Sequence, residues 1–175
     1  MSALQSLNVL LIDDNPHMRA ITSAILQSAG IRRIREVSDG AMALEALRLH
    51  DVDLAIVDFN MFPLDGVAFT RLVRNSPDST NPYLPIIMMT GHSEKSRVYE
   101  ARDAGVTEFV VKPITAKAVF DRIQAVILRP RAFVKTDDYF GPDRRRKRSD
   151  AYDGPMRRAT DQADEVLDSL DSSAA

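Results

Sequence analysis

The sequence predicts a doubly wound α/β fold: a five-stranded parallel sheet covered by helices on both faces, followed by a largely disordered C-terminal tail. Three observations carry this expectation. From Asn8 to Arg129, short β-branched runs alternate with longer amphipathic ones, the βα rhythm of such a sheet. Several of the short runs are apolar without alternation, as expected of strands buried on both faces. After Leu128-Arg129-Pro130 the pattern stops.

The elements follow in order. Val9-Leu10-Leu11-Ile12 forms the first strand. Asn15-Pro16 then supplies an N-cap with proline at the first helical position, and Met18, Ile21 and Ile25 keep helical spacing up to Gly30. Ile34-Arg35-Glu36-Val37 is the second strand, followed by a helix marked by Leu44 and Leu47. Leu54-Ala55-Ile56-Val57 is the third, followed by a helix carrying Phe69, Leu72 and Val73. Asn75 to Pro82 is turn-rich and reads as an exposed loop. Ile86-Ile87-Met88-Met89 is the fourth strand, and the helix of Val98 and Ala101 closes at Gly105, where a left-handed residue is commonly needed. Phe109-Val110-Val111 is the fifth, and Val119, Phe120, Ile123, Val126 and Ile127 mark the last helix.

Composition narrows the function. A chain of 175 residues has room for one domain and an appendage. With no cysteine, a disulfide framework, a thiolate metal site and a cysteine nucleophile are excluded, and three histidines make a histidine-built zinc site improbable. No run approaches the roughly 20 apolar residues of a membrane helix, and Met1 to Leu7 lacks the form of a secretion signal, so a cytoplasmic, non-transmembrane protein is expected. The net charge of −2 is an average over unlike segments. Residues 131–148 carry seven basic and three acidic side chains, whereas from Asp161 onward there are five acidic residues and no Lys or Arg. With few aliphatic residues such a tail is expected to stay disordered, apart from one short helix around Ala163 to Leu170.

In an open parallel sheet, ligands bind outside the carboxyl ends of the strands. There the sequence places Asp13 and Asp14 after strand 1, Asp58 after strand 3, Thr90 after strand 4 and Lys112 after strand 5. Each residue alone has an ordinary explanation as a cap or a solvated loop residue. Together, three carboxylates without His or Cys suit a hard cation such as Mg²⁺. Adding a hydroxyl and an ammonium completes the usual equipment of phosphoryl transfer.

On these motifs residues 8–128 resemble the receiver domain of two-component response regulators, of the CheY-like, flavodoxin-like type. The motifs are Ile12-Asp13-Asp14, Val57-Asp58, Asp65-Gly66, Met89-Thr90-Gly91 and Phe109-Val110-Val111-Lys112-Pro113. The resemblance implies that Asp58 is the phospho-acceptor, taking its phosphoryl group from a histidine kinase or phosphotransfer protein. It implies that Asp13, Asp14, Asp58 and the backbone carbonyl of Asn60 hold Mg²⁺. Thr90 and Lys112 would bind phosphoryl oxygens, and Phe109 would turn inward as Thr90 moves. The output would be docking on a downstream protein such as the flagellar motor. No enzymatic turnover is expected beyond autophosphorylation and slow autodephosphorylation. One departure stands out: Phe62 occupies the place where the family usually has proline, and Pro63 follows. A phosphohydrolase that uses Asp58 as nucleophile is disfavoured, because the general-acid aspartate of the haloacid dehalogenase-like enzymes would fall at Asn60.

The expected domains are a receiver at 1–129, an arginine-rich tail at 130–160 and an acidic terminus at 161–175. Within the tail, Tyr139-Phe140-Gly141-Pro142-Asp143-Arg144-Arg145 recurs as Tyr152-Asp153-Gly154-Pro155-Met156-Arg157-Arg158. Gly-Pro sets a turn, arginine forks pair with guanine edges or phosphates, and both Arg and Tyr planes stack on bases. This region resembles the arginine-rich segment of the CheY-like cyclic di-GMP effectors called Cle proteins. The resemblance implies cyclic di-GMP contacts from Tyr139, Asp143, Arg144, Arg145, Tyr152, Arg157 and Arg158. The alternative is a basic patch for nucleic acid or an anionic membrane. Against a DNA-binding regulator, no helix-turn-helix follows Arg129.

Overall fold

A computed structural model describes residues 3–91 and 97–144. After a single 3-10 turn at Ala3–Ser6, the order is β1 (Asn8–Ile12), α1 (Pro16–Ser28), β2 (Arg33–Val37), α2 (Gly40–Leu49), β3 (Leu54–Asp58), α3 (Gly66–Asn75) and β4 (Ile86–Thr90). It continues with α4 (Val98–Ala104), β5 (Glu108–Val111), α5 (Ala116–Leu128), β6 (Phe133–Lys135) and β7 (Phe140–Pro142). The first five strands form one sheet in the order β2-β1-β3-β4-β5, all parallel. The order reverses at β1 and β3, so α1 and α5 cover one face while α2, α3 and α4 cover the other.

Side chains on a strand alternate between faces, and the cores show it. Leu10, Ile12, Ala55, Val57, Ile86 and Met88 pack with Ala43, Phe69 and Val98 on the α2–α4 side. Their neighbours Val9, Leu11, Leu54, Ile56, Ile87 and Met89 pack with Leu26, Ile123 and Val126 on the α1–α5 side. This explains why strands 1, 3 and 4 read as unbroken apolar runs. Edge strand β2 instead exposes Arg33, Arg35 and Glu36, charges that discourage pairing with another chain.

Local signals place the helices. The Asn15 side chain accepts from the backbone N–H groups of His17 and Met18, and Asp39, Asp65 and Thr115 cap α2, α3 and α5 in the same way. Gly105 ends α4 at φ 101°, a left-handed conformation costly for any residue with a Cβ. Gly66 is required for a different reason. Its N–H donates to the Phe59 carbonyl at 3.1 Å, and a Cβ there would lie 2.5 Å from the Asp58 carbonyl oxygen, so only glycine lets α3 begin this close to the end of β3.

The tail expectation needs correction at its start. Residues 131–144 are not without structure: β6 and β7 pair antiparallel, with Phe133 opposite Pro142 and Lys135 opposite Phe140. Phe133, Phe140 and Tyr83 meet at centroid distances of 5.1–5.6 Å. Beneath them lies Arg74, 3% exposed, donating to the carbonyls of Gly105 (3.0 Å) and Pro82 (2.8 Å), with its guanidinium 5.0 Å from the Phe133 ring centroid. The hairpin thus docks where β4 and β5 begin, at the end of the sheet opposite Asp58. The expected helix at Ala163 to Leu170 and the whole acidic terminus lie outside the described residues.

Candidate functional site

The strand registers bring the predicted residues to one edge. Ile12 lies beside Val57, Asp58 beside Met89 and Thr90 beside Val111, so the chain turns that leave β1, β3, β4 and β5 converge. One carboxylate oxygen from each of Asp13, Asp14 and Asp58 lies within 4.8 Å of the others. Lys112 Nζ donates to Asp58 Oδ1 at 2.7 Å, and the Phe59 N–H donates to the same oxygen at 2.9 Å. Thr90 is buried at the end of β4, and its carbonyl accepts from the Lys112 N–H at 2.7 Å, which fixes the start of the β5 loop. All five residues expected at this edge are there.

Burial controls the electrostatics. Asp58 is only 6% exposed, and desolvation pushes its pKa up to about 6 despite the hydrogen bond and charge of Lys112, with the Asp13 carboxylate adding to the rise. Asp13 is fully buried and is likewise raised, chiefly by desolvation; the N–H of Asn15 on its Oδ1 (2.8 Å) and the positive charges of Lys112 and Arg19 oppose the shift. Asp13 Oδ2 is buried without a hydrogen-bond partner. An unpartnered carboxylate oxygen on a residue clustered with two further carboxylates is what a hard cation satisfies, so the residues present fit Mg²⁺. Asp14 is exposed at the mouth of the cluster and Asn60 is exposed just beyond Asp58.

Phe109 is 4% exposed and already packed inward against the α2–α4 core. Phe62 is 84% exposed beside the acceptor loop, and the Phe62–Pro63 and Lys112–Pro113 bonds are both cis. Sequence reasoning missed two arginines. Arg19, one turn into α1, returns its Nη1 to the Asp13 carbonyl at 2.7 Å and pairs with Glu36 at 3.4 Å. Arg97 lies 4.5 Å from the Phe59 ring centroid and pairs with Asp65 and Glu100, joining the start of α4 to the acceptor loop. Arg19 falls one helical turn after the Asn15 cap, a spacing that could have suggested it; Arg97 sits in no motif.

The tail residues divide. Tyr139 donates its hydroxyl to the Pro142 carbonyl (2.7 Å), and the Arg144 guanidinium lies over its ring at 3.9 Å while pairing with Asp103 at 3.1 Å. The Asp143 N–H closes the hairpin on Ala132 O at 2.7 Å. Arg145, Tyr152, Arg157 and Arg158 lie outside the described residues.

The sheet order and the acidic edge define a class, doubly wound α/β domains with a carboxylate pocket at the carboxyl end of the sheet. The profile of the response regulator receiver domain matches residues 9–124, and the chain belongs to that family. It is 32% identical over 123 residues to the chemotaxis protein CheY of Pseudomonas aeruginosa, covering 70% of this chain and 98% of that protein. It is 30% identical over 125 residues to CheY-3 of Vibrio cholerae, covering 71% and 95%. Among solved structures, the chemotaxis response regulator CheY4 of Vibrio cholerae superposes with a TM-score of 0.61 at 30% identity, covering 67% of this chain and 96% of that one. The receiver domain of the sensor histidine kinase PA1611 from P. aeruginosa, which has a magnesium ion coordinated in its active-site cleft, gives 0.61 at 27% identity over 67% and 94%. Receiver domains bind Mg²⁺ at such an acidic pocket and work with histidine kinases and downstream targets. They are signalling proteins rather than conventional enzymes. The profile match ends before the hairpin begins. Among the described residues no helix is long and apolar enough to cross a membrane.

Proposed function

We propose that this chain is a phosphorylation switch in which Asp58 accepts a phosphoryl group from a phosphohistidine. The observation that carries the reading is the Asp58 carboxylate itself, held by Lys112 at 2.7 Å and grouped with Asp13 and Asp14. Its hydrogen bonds from Lys112 and Phe59 both fall on Oδ1, which leaves Oδ2 to attack phosphorus. The P–N bond breaks, its electron pair returns to the imidazole, which takes up a proton, and the carboxylate becomes an acyl phosphate. Asp13, Asp14, Asp58 and the Asn60 carbonyl would hold Mg²⁺, which supplies charge neutralisation for the transferring oxygens. Lys112 follows Oδ1 and pairs with a phosphoryl oxygen. The Thr90 hydroxyl is drawn toward another, and Phe109 stays packed inward behind it. The contacts of Lys112 and Thr90 with phosphoryl oxygens exist only in the phosphorylated form, so each biases the chain toward that state. The test is label from a small phosphodonor, which should enter the wild type and not Asp58→Ala; label in the variant would refute the assignment.

The signal would leave by docking on a downstream protein such as the flagellar motor, in keeping with the similarity to chemotaxis proteins. For the tail, cyclic di-GMP capture rests on the repeated Tyr-x-Gly-Pro-x-Arg-Arg spacing and on the Arg144 guanidinium lying over the Tyr139 ring, two groups of the kind on which bases stack. Calorimetry of the full chain with cyclic di-GMP, GTP and an oligonucleotide checks it. Saturable binding to the cyclic dinucleotide alone supports the reading, and equal, salt-screened binding to all three replaces it with a general basic patch.

A further inference from the structure

We infer that the cleft between the docked hairpin, the end of α4 and the start of β5 is a binding site for a phosphate-class oxyanion. It is gripped by Arg102, Arg131 and Arg144, with Tyr139 closing one side. This site lies away from the acceptor edge and uses Arg102 and Arg131, neither of which belongs to the tail repeat. It is independent of the phosphotransfer reading; it shares Arg144 and Tyr139 with the cyclic dinucleotide reading but does not require it.

The first argument is unmet hydrogen bonding. Arg102 is 7% exposed; its Nε and Nη2 pair with Asp103 at 3.2–3.3 Å, but its Nη1 is buried with no partner. Arg144 Nε, on the same cleft, is also buried and has no hydrogen-bond partner among the described residues. A buried guanidinium N–H left without an acceptor loses its hydration uncompensated, so two on one cleft call for an acceptor that none of the described residues supplies.

Charge is the second argument. Asp103 is shared by Arg102 and Arg144, and Glu108 by Arg122 and Arg131. Arg74 and Asp143 flank the same corner. Five guanidiniums less three carboxylates leaves +2, the charge that a phosphate dianion neutralises. Arginine forks suit its oxygens better than they suit chloride. Size sets the pose. The cleft, open on one side, offers about 20 Å³, room for one oxygen atom rather than a whole anion. One oxygen therefore enters between Arg102 and Arg144, and the rest of the anion lies at the mouth.

Position gives the site a consequence. Phe109 also lines the cleft, so an anion there braces the hairpin and α4 against this buried aromatic side chain.

Calorimetry and amide NMR on the full chain, in Mg²⁺-free buffer at constant ionic strength, test the proposal with inorganic phosphate, GMP and cyclic di-GMP as probes. The expected result is saturable 1:1 phosphate binding with shifts at Arg102, Phe109 and Arg144. Binding should weaken at least tenfold in Arg102→Gln and in Arg144→Gln, and hold steady in Arg33→Gln on exposed β2. Cooperative melting of each variant establishes that it folds. If GMP matches phosphate, the site takes the phosphate group alone; if cyclic di-GMP is the tighter ligand, the same pocket seats a phosphate of a larger ligand. The proposal fails if phosphate does not saturate, if neither arginine substitution changes the affinity, or if the shifts fall on Asp13 and Lys112.

Discussion

Replacing Asp58 with asparagine removes the charge that burial makes costly while keeping the shape of the side chain. The Asn Oδ1 can still accept from Lys112 and from the Phe59 N–H, now at 2.7 and 2.9 Å. A pKa raised from 3.8 to about 6 means that ionising Asp58 is harder in the folded protein than in the unfolded chain. Between those values the native state binds more protons than the unfolded one, so this group's contribution to stability is full below pH 3.8 and is lost as pH rises through about 6. At about 1.4 kcal/mol per unit the loss is about 3 kcal/mol. In Mg²⁺-free buffer at pH 7.5, Asp58→Asn should therefore exceed the wild type by up to about 3 kcal/mol, or roughly 10 °C in Tm for a domain of this size. The gap should close as pH falls to 4. Urea and thermal unfolding of both proteins across that range measure it. Adding Mg²⁺ should stabilise the wild type more than the variant, because the ion binds only the native cluster. A variant no more stable than wild type at pH 7.5, or a gap independent of pH, would refute the assignment of a desolvated, metal-ready carboxylate.

Three further outcomes follow from the geometry. Lys112→Ala removes the ammonium that holds the Asp58 pKa down, so that pKa should rise further, and phosphotransfer measured with a small phosphodonor should fall on the order of 10²–10³-fold. Gly66→Ala sets a Cβ 2.5 Å from the Asp58 carbonyl oxygen and 3.1 Å from Met88 Cε; chemical denaturation should show a loss of about 1–3 kcal/mol, with slower phosphorylation as the acceptor loop shifts. Ending the chain at Arg129 strips Phe133 and Phe140 from Tyr83 and uncovers Arg74, and thermal melting should register a loss of about 2–4 kcal/mol with phosphorylation retained.

The fold was legible because each face of the sheet is covered. Unbroken runs such as Leu54–Val57 have no reading on a half-exposed sheet, and Asn15-Pro16 and Gly105 mark boundaries through backbone chemistry that tertiary context does not override. The acceptor edge was legible because every member lies at or just past the carboxyl end of a strand, where parallel topology dictates convergence. The hairpin was not. Strands of three residues in a charged segment carry no periodicity, and what orders them is an aromatic contact to Tyr83 and a buried Arg74, both distant in sequence. Phe133 and Phe140 in an otherwise polar tail were the available signal. Arg97 was invisible for a related reason, since its partners Phe59 and Asp65 belong to another loop.

If Asp58 accepts the phosphoryl group with metal assistance, intact-mass measurement after incubation with a small phosphodonor and Mg²⁺ should find one added phosphoryl group on the wild type. The group should map to Asp58, be absent from Asp58→Asn and be lost when Mg²⁺ is chelated beforehand. An unmodified wild type, or an Asp58→Asn protein that gains the same mass, would contradict that role for Asp58.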